Sequence, residues 1–89
     1  MKIIINAYPV EFYLAENDLI GGEESKYYDI ILDNPADQDA ISFFEENIPF
    51  DLFEVVEIPK NATDWAIHYE ENGYDYVTVT INGRIEQVN

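Results

Sequence analysis

Residues 65–88, WAIHYEENGYDYVTVTINGRIEQV, decide how the chain is read. Asn72-Gly73 and Asn82-Gly83 are the dipeptides that two-residue hairpin turns demand, because both central positions need a positive φ. Between and beside them run β-branched and aromatic residues with few helix formers. The stretch therefore predicts a three-stranded meander, with strands over 65–70, 74–81 and 84–88. Folding about Asn72-Gly73 in the two-residue register sets Glu71 across from Tyr74 and Glu70 across from Asp75. Like charges directly opposite each other are destabilising, so this hairpin asks what neutralises it.

Working back toward the N-terminus, residues 52–58 (LFEVVEI) read as a further strand closed by Pro59. Upstream, DNPADQDAISFFEENIPF at 33–50 reads as one helix. Asn34 is a suitable N-cap and Pro35 suits the first helical position. At 100° per residue Ala40, Ile41, Phe44 and Ile48 share one face. Asp39, Ser42, Glu45 and Glu46 cover the other, and Phe43 lies beside them, off the apolar stripe. Asp37 and Asp39 favour the positive end of the helix dipole, whereas Glu45 and Glu46 oppose its negative end. Residues 2–6, 10–14 and 27–32 read as strands, with a break at 7–9 and a loop at 15–25 turning at Gly21-Gly22. Helix and strands are segregated rather than alternating. The expectation is an α+β fold: a mostly antiparallel sheet, with the C-terminal meander, packed by one helix. No linker, repeat or low-complexity tract divides residues 1–89, which are expected to form a single domain.

Charge is the outlying property. Nineteen Asp and Glu face four Lys and Arg, for a net charge of −15, against a magnitude of about 2–8 in a well-behaved small domain. The acids are interleaved with apolar residues from Glu11 to Glu86 rather than gathered in a tail, so folded elements carry them. Direct binding to nucleic acid or to an anionic membrane is disfavoured, and the expected partner is basic. There is no cysteine, which removes disulfides and thiolate chemistry. The isoleucine run at 3–5 is too short for a signal-peptide core, and no segment approaches a membrane span. A cytoplasmic protein is expected.

Catalytic signatures do not emerge. His68 is the only histidine, and its mid-strand position fits a structural or solvent-facing role better than that of a general base. No phosphate loop, dinucleotide fingerprint or nucleophile elbow is present. Counted from Asp33 as a calcium loop, the helix-start segment puts Pro35 at position three, Gln38 where glycine is needed and Phe44 where a bidentate glutamate belongs. No catalytic residue, metal ligand or cofactor is assigned, and an enzyme is the least supported class.

Carboxylates on strands repeat every 6.6–6.8 Å and on helix faces every 5–6 Å, against one phosphate per 3.4 Å along a DNA strand. Acids on folded elements can thus approximate the charge spacing of a nucleic acid. In its small size, acidity, lack of cysteine and α+β outline, the chain resembles the phage- and mobile-element-encoded DNA-mimic inhibitors. These include anti-CRISPR proteins, anti-restriction proteins and the uracil-DNA glycosylase inhibitor. The resemblance is to a class without a shared motif, so no residue role carries over from it. It implies a stoichiometric inhibitor in the host cytoplasm that occupies the basic nucleic-acid-binding surface of a defence nuclease. An immunity protein or antitoxin against a basic toxin shares the same charge logic, and a non-inhibitory acidic interaction module is a third reading. The candidate partner-binding residues are Asp37, Asp39, Phe43, Glu45 and Glu46 on the helix, and Glu70, Glu71, Tyr74 and Asp75 at the hairpin. Tyrosines beside the acids would supply anchors, because tyrosine is enriched at interface hot spots.

Overall fold

The computed structural model describes residues 1–89. Its order is β1 (Lys2–Ile5), α1 (Pro9–Glu16), α2 (Glu23–Asp33), α3 (Gln38–Asn47), β2 (Glu54–Glu57), β3 (Asp64–His68), β4 (Tyr76–Ile81) and β5 (Arg84–Gln87), with a short 3₁₀ turn at Phe50–Leu52. The fold is α+β, with a two-stranded antiparallel ribbon β1–β2 and a three-stranded antiparallel meander β3–β4–β5. No helix is long and apolar enough to cross a membrane.

The ribbon sits between two cores. Ile3 pairs with Val56 and Ile4 with Val55, and directly opposed residues of an antiparallel pair project to the same side. On one side Ile3, Ile5 and Val56 pack with Ile58, Val77 and Val79 of the meander. On the other, Ile4 joins Val10, Leu14, Tyr28, Ile31, Ile41 and Phe44 from the three helices. All three isoleucines of β1 are at most 3% exposed. The far edge of β1 is sealed by the chain between α2 and α3: the Ile4 N–H donates to the Pro35 carbonyl at 2.9 Å, and Gln38 Nε2 donates to the Lys2 carbonyl at 2.8 Å. That cover prevents β1 from acting as an open pairing edge.

Three helices replace the single expected one. Residues 10–14 are helical, not a strand, because Pro9 occupies the first helical position and Val10 and Leu14, one turn apart, are the two buried residues. Residues 27–32 likewise belong to α2. Gly22 precedes its first turn, Glu23 and Glu24 sit at the dipole's positive end, and Tyr28 and Ile31 point inward at a spacing of three. The third helix starts later than expected. Its N-cap is Asp37, whose side chain accepts from the Ala40 N–H at 3.0 Å. Asn34 instead ends α2 and accepts from the Ala36 N–H at 3.1 Å. The expected inner face holds: Ala40, Ile41, Phe44 and Ile48 are all buried.

The meander is present with one register corrected. Asn82 (φ 52°) and Gly83 (φ 77°) close a two-residue turn between Ile81 and Arg84. Asn72-Gly73 does not form the matching turn. Ile67 pairs with Val77 and His68 with Tyr76, leaving 69–75 as a seven-residue connection between strands. The two-residue turn would have shifted β3 by one position, separating Trp65 and Ile67 from Val77 and Val79 on opposite faces. A one-residue slip flips every side chain. Burial of one apolar face therefore overrides the turn preference, and Glu70 and Asp75 are not an opposed strand pair.

Because the ribbon is common to both cores, Ile3→Ala and Ile4→Ala are each expected to cost about 2–5 kcal/mol. In urea, Trp65 fluorescence (meander) and ellipticity at 222 nm (helices) should lose midpoint together in both variants. If Ile4→Ala moved the helical signal alone, the coupling through the ribbon would be disproved.

Candidate functional site

The sequence-flagged residues fall into two groups. On α3, Asp37 is consumed as the helix cap. Phe43 stacks on Tyr27, with centroids 4.3 Å apart and planes 19° from parallel, and packs against the helical core. Glu45 receives Lys2 Nζ at 3.2 Å on both carboxylate oxygens. Asp39 and Glu46 remain exposed and make no ion pair. Most of this group is thus occupied by the fold itself.

The second group is brought together. Glu70, Glu71, Tyr74 and Asp75 line a cleft of about 770 Å³ between the 69–75 connection, the end of β1 and the C-terminal half of α2, and none of the five α3 residues lines it. Its floor is apolar, built from Ile4, Ala7, Tyr28 and Ile31, all buried. Its rim carries Tyr8 (67% exposed), Leu32 (64%), Tyr69 (74%) and Tyr74 (85%). Tyr8 also meets Phe12, itself 52% exposed, edge to face at 5.3 Å. Contiguous exposed apolar surface of this kind marks interaction sites. Tyr8, Leu32 and Tyr69 were not among the flagged residues. Tyr69 adjoins Glu70 and so shares the tyrosine-beside-acid pattern of Tyr74, whereas no local pattern identifies Tyr8 and Leu32, because the segments that meet at the rim are far apart in sequence.

Asn6 ties the 69–75 connection to the end of β1. It sits at φ 55°, a left-handed conformation that asparagine tolerates. Its Oδ1 accepts from the Asp75 N–H at 2.8 Å, and its Nδ2 donates to the Asp75 carbonyl at 3.2 Å and to Glu54 Oε2 at 3.0 Å. Asp75 Oδ1 in turn accepts from the Glu70 N–H at 3.0 Å. Asp75 is therefore an organiser of the loop. Glu70 and Glu71 are the carboxylates left facing solvent, with no hydrogen bond or ion pair to either side chain. The predicted clash between Glu70 and Asp75 is resolved by a backbone amide, not by a cation.

His68 lies outside the cleft. Its ring stacks on Tyr76 at 4.5 Å, 5° from parallel, and its Nε2 is 2.9 Å from Thr78 Oγ1. The Tyr28 phenol, in the floor, is held above the ordinary tyrosine pKa by burial first, then by the carboxylates of Glu11 and Asp29.

Electrostatically, the surface is almost uncompensated. Only Glu45 and Glu57 form ion pairs, the latter with the N-terminal ammonium at 3.4 Å. No charged side chain is buried, and none of the three helices has a basic residue in its last turn. Comparison with protein-family models, curated proteins and solved structures finds no match to this chain.

Two outcomes follow from this geometry. Asn6→Ala should destabilise by about 2–3 kcal/mol, from left-handed strain and lost hydrogen bonds, while Asn6→Gly recovers the strain part. The Asp75 amide should lose protection from exchange in both, and unchanged protection would refute the anchoring. A phenol whose folded pKa is raised stabilises fully below about pH 10 and loses that contribution as pH rises through the folded value. Tyr28→Phe should therefore flatten the alkaline fall in stability, measured by denaturant melts between pH 8 and 11.

Proposed function

We propose that this chain is an acidic inhibitor that binds the basic nucleic-acid-binding surface of a host defence nuclease, such as a CRISPR effector or a restriction enzyme, in the place of DNA. One observation carries the reading: the excess carboxylate is spread over the whole fold, none of it is buried, and only Glu45 and Glu57 form an ion pair. Self-repulsion of this size disfavours the compact state, and a surface that retains it is matched to an external cation. A Lys/Arg-lined groove offers such cations at phosphate spacing. The molecule's longest dimension, 46 Å, covers roughly a dozen phosphate steps of 3.4 Å.

Such a partner is recruited electrostatically and fast, then retained by the exposed aromatic residues beside the acids. Glu70, Glu71 and Tyr74 stand in that arrangement at the cleft, and Asp39 and Glu46 extend the negative surface along α3. The inhibitor acts by occupancy, with no chemical step, in the cytoplasm where the nuclease meets its substrate.

The test is capture on the immobilised protein from a lysate of the cell that harbours it. A nucleic-acid-binding enzyme should be retained near 0.1 M salt, displaced by added duplex DNA, and lost by about 0.5 M, where the screening length falls well below 10 Å. Retention indifferent both to DNA and to 0.5 M salt would rule the reading out.

A further inference from the structure

We infer that the cleft beneath the 69–75 connection is a docking site for an arginine side chain of a basic protein partner. The inference deepens the inhibitor reading and rests on it only for the identity of the protein that supplies the arginine.

Four features select the occupant. The floor formed by Ile4, Ala7 and Ile31 is apolar and buried, which suits the alkyl stem of a long cationic side chain. Tyr8, Tyr69 and Tyr74 stand at the rim with two thirds or more of their surface in water, so covering them is favourable, and phenol faces attract a guanidinium. Glu70 and Glu71 beside them have no intramolecular partner. Finally, no lysine or arginine lines the cleft: Lys2 is paired with Glu45, and Lys26 lies over the Tyr27 ring at 5.6 Å.

Other occupants fit less well. A phosphate or carboxylate ligand meets Glu70, Glu71 and the organising Asp75. A wholly apolar peptide would desolvate those carboxylates without neutralising them. Lysine satisfies the charge as a point cation, whereas arginine also stacks on tyrosine and pairs with a carboxylate in two-point fashion. The cleft therefore distinguishes two cations of equal charge, which net charge alone does not do.

The experiment uses the full chain and two synthetic peptides of equal length and charge, an Arg-Gly repeat and a Lys-Gly repeat. Binding is measured by titration calorimetry at low salt and mapped by backbone amide shifts. The Arg peptide should bind more tightly, and its shifts should centre on residues 69–75 and Leu32. Tyr69→Ala with Tyr74→Ala, both at exposed positions, should weaken the Arg peptide by roughly tenfold and erase its advantage. Glu70→Gln with Glu71→Gln should weaken it by a similar factor. Asp51→Asn with Glu86→Gln removes the same charge from exposed positions outside the cleft and should change binding less than twofold. Equal affinity for the two peptides, or equal losses from the two charge-neutralising pairs, overturns the inference by assigning binding to net charge. Enzyme capture that DNA displaces but Glu70→Gln/Glu71→Gln leaves intact sinks the cleft and spares the inhibitor reading. Arg-selective binding in the cleft, with no DNA-displaceable capture, does the reverse.

Discussion

The structure depends on a strand of four residues that is buried on both faces. β1 contributes Ile3 and Ile5 to one core and Ile4 to the other, and its partner β2 repeats the division with Val56 and Val55. A strand facing water on one side alternates apolar with polar residues, whereas a strand covered on both sides must be apolar throughout. The helices pack on one side of the ribbon and the meander on the other. The ribbon is what makes their cores adjoin, and the position of its end fixes the cleft. Ile4 and Ile5 line the cleft, and Asn6, the next residue, ties the 69–75 connection to the end of β1.

The same constraint explains which features could be read from the sequence. The amphipathic face of α3 and the Asn82-Gly83 turn follow from local periodicity and local φ requirements, and both are found as expected. The register at Asn72-Gly73 follows from neither. It is set by the need of Trp65 and Ile67 to share a face with Val77 and Val79, a cost that appears only once the meander lies on the ribbon. Residues 10–14 and 27–32 are rich in aromatic and β-branched residues, which as isolated segments favour strands. They become helices because Val10 with Leu14, and Tyr28 with Ile31, share one buried face at helical spacing and join the core that Ile4 enters. The isoleucine run at 3–5 was the one local sign of a strand covered on both sides, and it is too short to say what covers it.

Legibility of the site divides along the same line. Carboxylate excess and tyrosine proximity are compositional, so the Glu70, Glu71, Tyr74 and Asp75 group was visible from the chain. The roles within the group were not. Asp75 points its carboxylate at a backbone amide, and Asp37 and Phe43 on α3 are taken up by a cap and a ring stack. Composition counts all acids alike; the fold separates those that organise it from those that remain available.

That separation bears on how an acidic protein of this kind tolerates its charge. Each exposed, unpaired carboxylate repels its neighbours only weakly across water, about 1 kcal/mol even at 4 Å, and salt reduces this further. Burying one without a partner would cost several times more. The fold accordingly buries no charged side chain and leaves no buried polar side-chain atom unsatisfied. Its only two ion pairs lie at the ribbon, where Lys2 meets Glu45 and the N-terminus meets Glu57, and no lysine or arginine lines the cleft. Repulsion is thus distributed where water can screen it until a partner displaces that water. A basic surface closing over Glu70 and Glu71 would lower the local dielectric and supply the opposite charge in the same step, so the repulsion tolerated in the free protein becomes attraction in the complex.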